Sequence, residues 1–184
     1  MRFSISTVRS SVSRVGLPAA LVLACTLVTT RASAQEAGIA VGTKAPAAAV
    51  ESLTGKPMDL ASFVGKQPMV LEFWATWCPL CKKLEPAMAA AKHKYGAGVT
   101  FVHVGVPQNQ CPEKQQAYVT QQQMSGEFVF DRDGSAYKAY TATHTSYVLV
   151  VDAAGIVVYT GVGPDQDIDA AVQKAMASGK RGSN

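Results

Sequence analysis

The chain has 184 residues, of which 48% are hydrophobic and 16% charged: enough for one domain with its own core and too few for two. The formal charge of +4 sits at one end, because seventeen Lys/Arg oppose thirteen Asp/Glu and Arg2, Arg9, Arg14 and Arg31 all precede the first acid, Glu36. The remainder is neutral, so the charge is no sign of a nucleic-acid surface, and no nucleic-acid partner is expected.

Residues 1–34 read as an export signal. Arg2, Arg9 and Arg14 precede the apolar stretch VGLPAALVLACTLV, and Ala32-Ser33-Ala34 supplies a small-x-small cleavage pattern. The apolar core, about 13 residues, falls short of the roughly 20 that a membrane-spanning helix needs. Cleavage after Ala34 leaves a mature chain that begins at Gln35. Two other fates of the leader stay open: an uncleaved membrane anchor, and acylation of Cys25 within LVLAC. All three place the domain outside the cytoplasm, in a periplasmic or equivalent space.

Residues 35–46 (QEAGIAVGTKAP) are small and polar and read as a linker, 47–178 as the domain, and 179–184 as a tail. A short strand is expected over 47–52, closed by a TGKP turn. Residues 68–74 (PMVLEFW) form a nearly continuous apolar run, the pattern of a strand buried on both faces. A helix follows over 78–95, with Leu80, Leu84, Ala87, Met88 and Ala91 at helical spacing and YGAG at its end. VTFVHVGV (99–106) is a second buried strand, and 112–124 a helix with Pro112 in its first turn. EFVF (127–130) is a short strand, DRDG a turn, and 135–140 a short helix. SYVLVVD and GIVVYTG, joined by AAG, form a β-hairpin. A last helix spans 165–177, with Asp residues complementing the dipole at its start. This order predicts an α/β fold, a mixed central β-sheet flanked by helices on both faces. It places the start of the 78–95 helix at the carboxyl end of its strand, where α/β sites form.

Loss of the leader removes Cys25 and leaves Cys78, Cys81 and Cys111, an odd number. A bridge closed over two intervening residues removes little unfolded-state entropy, so Cys78–Cys81 is weak as a structural staple. As a redox pair the spacing has a physical logic. Unpaired N–H groups and the positive dipole end at a helix N-terminus favour a thiolate at the first cysteine. The second lies one turn on, within reach of the first sulfur, and resolves a mixed disulfide by attacking it. Cys78 is thus the candidate nucleophile and Cys81 the resolving cysteine.

The stretch VLEFWATWCPLCKKLEP resembles the thioredoxin superfamily, and best its exported TlpA/ResA-like branch of thiol–disulfide oxidoreductases. Trp77 stands directly before the nucleophile, as in that family. Glu72, six residues before Cys78, falls where the family carries a buried acid, and Pro86, five after Cys81, where its helix kinks. The resemblance covers about residues 42–178. It implies a thioredoxin-like fold and a CxxC dithiol that reduces disulfides in exported client proteins, with a membrane thiol reductase restoring it. No diffusible cofactor is implied, since the cysteines carry the electrons. Glu72 is then a buried carboxyl that moves the proton of Cys81, directly or through water; its alternative is a solvent-facing strand residue. Trp77 and Pro79 beside the nucleophile, with His144 and Thr145 on the facing loop, are implied as the client-binding surface.

One departure keeps a second reading open. The family carries a cis-proline in the loop opposite the CxxC, whereas no proline occurs here between Pro112 and Pro164. Thr143, His144, Thr145 or Ser146 occupies its place, and a non-proline cis bond costs about 3 kcal/mol, so a trans peptide or a differently built loop is expected. His144, eight residues before Asp152, is placed similarly to the histidine of Sco copper-delivery proteins. A Sco-like copper-binding chaperone using Cys78, Cys81 and His144 as a soft S₂N set is therefore the alternative, although Sco proteins space their cysteines by three residues rather than two. Of the other histidines, His93 is expected to be solvated and His103 to be a satisfied core residue. Cys111 precedes a helix start and reads as a free thiol or a partner in an alternative disulfide. A peroxiredoxin-like role is disfavoured, because Gln108 stands where that pattern has Thr.

Overall fold

A computed structural model describes residues 38–179. The expected signal peptide with Cys25, the first residues of the expected linker and all but the first residue of the expected tail lie outside the described residues. Among the described residues no helix is long and apolar enough to cross a membrane.

The centre of the molecule is β3, Met69–Trp74, in which every residue is buried. Its apolar run has no solvent face, because it is paired on both sides. It runs parallel to β4, Thr100–Gly105, and antiparallel to β6, Tyr147–Val151. Outward from β4 come β5, Glu127–Phe130, then β1, Ala49–Ser52, and β2, Pro57–Asp59. On the other side β6 turns through 152–156 into β7, Val157–Val162. The seven-stranded order is β2-β1-β5-β4-β3-β6-β7, a mixed sheet. Helix α1, Pro79–Tyr95, links β3 to β4, and α2, Pro112–Gln122, links β4 to β5. Helix α3, Ser135–Ala139, is a single turn tied to β1 by Ser135 Oγ–H donating to Ala49 O at 2.8 Å. Helix α4, Ile168–Gly179, packs against α1.

Two apolar clusters hold these layers together. Val70, Phe101, Val148 and Val150 meet Leu84 and Met88 of α1 and Val172 of α4. Leu71, Phe73, Val102, Val104 and Leu149 meet Leu60, Tyr140 and Tyr147. The alternation of β3 feeds both, since successive side chains leave opposite faces of a strand.

Three details differ from the sequence reading. Strand β2 and the 3-10 turn Leu60–Phe63 were not expected, because three residues beginning with proline carry no strand period. The buried stripe of α1 is Cys81, Leu84, Met88 and Ala91, whereas Leu80 is 39% exposed. Finally, the described part of the expected linker is docked on the domain. Ile39 N–H donates to Tyr147 Oη, Gly42 N–H to Val157 O, and Val157 N–H to Thr43 O, while Lys44 bridges Ile156.

Candidate active site

The site forms where β3 ends. Cys78 is the N-cap of α1, with Pro79 at its first turn, a position that has no partner for an N–H and therefore loses nothing to proline. Cys78 and Cys81 are joined as a disulfide with Cα atoms 5.4 Å apart. The Cys81 N–H donates to Cys78 Sγ at 3.1 Å, so the first sulfur takes the place of the usual oxygen cap. The same N–H is available to a thiolate on Cys78 when the pair is reduced.

The rim of the site is apolar and open. Trp77 is 46% exposed and Pro79 and Leu80 are exposed with it, whereas Cys78 is only 1% exposed. The loop 75–77 is clamped by residues 106–110. Trp77 Nε1–H donates to Gln108 O at 2.7 Å, and Gln110 Oε1 accepts from the Thr76 N–H at 3.0 Å. The Gln110 amide nitrogen in turn donates to Val106 O and Trp74 O. Gln110 carries no motif, and nothing in the sequence marked it as the clasp between two loops.

The floor is polar and closed. Glu72 on β3 and His103 on β4 stand opposite each other in the parallel register and are each 4% exposed. His103 Nδ1 lies 3.0 Å from Glu72 Oε2, and toward a carboxylate, which only accepts, the ring nitrogen would be the donor. Glu72 is thus buried rather than solvent-facing, and His103 is the satisfied core histidine that its strand predicted. A narrow cleft beneath Cys81, with room for roughly one water molecule, is lined by Glu72, Trp74, Glu85, His103 and Tyr118. Burial pushes the Glu85 carboxyl above its ordinary range; the charge of Glu72 adds to this and His103 opposes it. Burial, and then Glu85, likewise raise the Tyr118 phenol.

The facing loop is built without a cis bond, as every peptide bond among the described residues is trans. Ser146 takes a left-handed φ of 65°, and its N–H donates to Phe73 O at 2.8 Å, extending the β3–β6 ladder. Gln166 Nε2 secures Ser146 O at 3.0 Å. Thr145 is half-buried, and His144 is exposed with its Nδ1 2.8 Å from Thr143 Oγ1. Among the described residues no three His, Cys, Asp or Glu side chains are grouped to hold a metal ion, so Cys78, Cys81 and His144 are not brought together as a ligand set. His93 is exposed. Cys111 is a free, half-buried thiol at the start of α2; its hydrogen bond holds the Glu113 carboxyl below the usual carboxylate range.

The family model for Redoxin matches residues 40–176. The chain belongs to the Redoxin family. This family member is 32% identical over 147 residues to the thiol-disulfide oxidoreductase ResA of Bacillus subtilis, covering 78% of this chain and 80% of that one. It is 30% identical over 133 residues to the thioredoxin-like protein YneN of the same organism, covering 71% and 76%. Among solved structures it matches a thiol:disulfide interchange protein of Chlorobium tepidum at 29% identity and TM-score 0.62, covering 74% of this chain and 98% of that one. It also matches a secreted disulfide oxidoreductase of Mycobacterium tuberculosis at 25% identity and TM-score 0.59, covering 70% and 94%. The sheet is thus a thioredoxin-like fold, and this Redoxin protein is a thioredoxin-like oxidoreductase.

Proposed function

We propose that the reduced Cys78–Cys81 pair reduces disulfides in extracytoplasmic client proteins and is itself restored by a membrane thiol reductase. The observation that carries this reading is the position of the pair. Cys78 Sγ caps α1 and receives the Cys81 N–H, while Cys81 faces a cleft floored by Glu72. The Cys78 thiolate attacks one sulfur of a client disulfide, forming a Cys78–client bond and releasing the other client sulfur as a thiolate. Cys81 gives its proton to Glu72 and attacks Cys78 Sγ. The mixed disulfide breaks, the second client sulfur leaves, and Cys78–Cys81 closes. Two electrons pass from the dithiol to the client, and no other carrier is needed.

Trp77, Pro79, His144 and Thr145 are the residues on which a client settles before attack. The extracytoplasmic location rests on the leader pattern of residues 1–34. It is supported by a 34% match over 89 residues to a Mycobacterium tuberculosis protein named as a soluble secreted antigen. Reduction rather than oxidation rests on the likeness to the TlpA/ResA-like branch.

The test is reduction of insulin disulfides together with the reduction potential of the pair. Turnover that disappears in Cys78→Ser, with a potential near thioredoxin's, about −270 mV, supports a reductant; a value near −120 mV overturns the direction.

A further inference from the structure

Beneath the disulfide, Glu72 has a partner that the redox reading so far leaves unused. We infer that His103 is a positioning residue for the reaction: its Nδ1–H holds Glu72 Oε2, keeps the carboxyl anionic and leaves Oε1 to take the proton of Cys81. The inference rests on the proposed role of Glu72 and adds to it a reason why that carboxyl is ready to accept a proton.

The physical need is plain. A carboxylate taken out of water is driven toward its neutral form unless a donor or cation meets it, and a neutral Glu72 has no place for a second proton. His103 is the group hydrogen-bonded to it, at 3.0 Å, from the directly opposed position on the next parallel strand. The imidazole is held firmly. It stacks on Phe128 with centroids 4.7 Å apart and 10° between planes, and Trp74 meets it edge-on at 6.3 Å. Gly126 makes room for its far edge: a Cβ there would lie 2.9 Å from His103 Cδ2 and 3.1 Å from Nε2. His103 also borders a second cleft, lined with it by Glu85, Lys92, Met124 and Ser125. His103, Glu85 and Met124 line both clefts, so His103 borders the space under Cys81 as well as the outer space.

The charged and titratable groups around the pair are few. From α1 come Cys81, Lys82 and Glu85 and, in the outer cleft, Lys92; from α2 comes Tyr118, with Lys82 Nζ 5.7 Å from its ring centroid; β5 contributes the uncharged Phe128. Burial and the Glu72 charge raise the Glu85 carboxyl while His103 opposes them, so Glu85 registers both partners. The proton step balances within the site. Cys81–SH and Glu72–COO⁻ become Cys81–S⁻ and Glu72–COOH, and the thiolate then displaces the client sulfur from Cys78.

The experiment mixes reduced protein carrying Cys25→Ser and Cys111→Ser, so that no thiol outside the pair releases nitrothiobenzoate, with an aromatic disulfide, 5,5′-dithiobis(2-nitrobenzoate), in a stopped-flow instrument across pH 5 to 9. The first nitrothiobenzoate released reports attack by Cys78, and the second reports resolution by Cys81. His103→Leu is expected to slow the second release at least tenfold near neutral pH, since a positioned base contributes on the order of 10²-fold or more. It should also move that step's profile to higher pH while sparing the first release. His103→Asn, which keeps a donor near the Nδ1 position, should recover most of the loss. Glu72→Gln should slow the second release as well, and Glu72→Gln/His103→Leu should be no slower than Glu72→Gln alone. If His103→Leu does not fold, His103→Asn and the double variant, in which no charge is left unpaired, carry the test. A normal second-release profile in His103→Leu, beside a slow Glu72→Gln, overturns the role of His103 and leaves that of Glu72. A normal profile in Glu72→Gln overturns both. Additive losses in the double variant also overturn the proposal, since His103 then acts independently of Glu72.

Discussion

The rim and the floor of the disulfide invert the ordinary partition of side chains. On the rim, Trp77 and Leu80 are large apolar groups left 46% and 39% exposed. On the floor, Glu72 and His103 are polar groups buried beneath apolar neighbours. Elsewhere the chain obeys the usual rule, with β3, β4 and β6 filled by Val, Leu and Phe. Departures of this kind cost stability and persist at functional sites. The two differ in kind. The rim departs from the rule in the way a surface that meets another protein does. The floor departs in the way the proposed proton handling requires, with Glu72 and His103 matched to each other.

The comparison can be broken from either side. Cys78→Ser removes the proposed nucleophile between the two regions and should abolish insulin reduction while leaving the fold intact. Glu72→Gln strikes the floor alone. It should slow resolution by about 10²-fold and let Glu85 titrate at somewhat lower pH, because burial still raises that carboxyl but the added effect of the Glu72 charge is gone; carboxyl resonances followed by NMR check this. Gly126→Ala presses on the floor from outside. Its φ of +143° and the 2.9 Å approach to His103 predict a loss of roughly 1–3 kcal/mol in chemical denaturation, together with slower resolution. Trp77→Ala strikes the rim and should weaken client affinity several-fold with resolution unchanged, which is read by comparing KM with kcat on a protein disulfide.

The smallest effect lies far from both regions, at the exposed link between α1 and α4. Lys94 Nζ donates to Asp169 Oδ1 at 2.6 Å, and Tyr95 Oη–H to the same oxygen at 2.7 Å. Lys94 holds the Asp169 carboxyl below its ordinary range, and Asp169 holds the Lys94 ammonium above its own. The stability this link contributes is present above the unfolded carboxyl range and is lost as pH falls through the lowered value. At the other end it is lost as pH rises through the raised lysine value. Asp169→Asn should therefore lower the denaturation midpoint slightly at pH 7 and leave it unchanged near pH 2.

Much of this was legible in the chain. A run such as MVLEFW reads as a strand covered on both sides, and Cys-x-x-Cys after it at a helix start marks where the proposed chemistry sits. Leu80 misled because helical spacing marks a stripe without saying which stripe is covered: Leu80 and Leu84 share one, yet the core takes Cys81. The Glu72–His103 pair was half legible. Each residue interrupts an apolar strand, and two opposite polar groups in adjacent buried strands invite pairing, but the register that sets them face to face is a property of the sheet. Gln110 was not legible at all, since its side chain acts on loops whose approach only the folded chain defines. The replacement of proline by Ser146 was visible as a gap, whereas its left-handed backbone, held by Phe73 O and Gln166, was not.

The alignment of Glu72 with His103 across β3 and β4 also bears on how the chain finds its fold. Sliding β4 by one residue would turn His103 to the opposite side of the sheet and set Val102 or Val104 against Glu72. The acid would then lie in the core with no counterpart, a state costly enough to be rejected. The apolar residues of β4 tolerate such a slip far better, because a valine reads much the same at 102 and at 104. The group proposed to ready the carboxyl for its proton thus doubles as a key that only one strand alignment accepts, so a misaligned molecule forfeits its stability and the proposed proton step together.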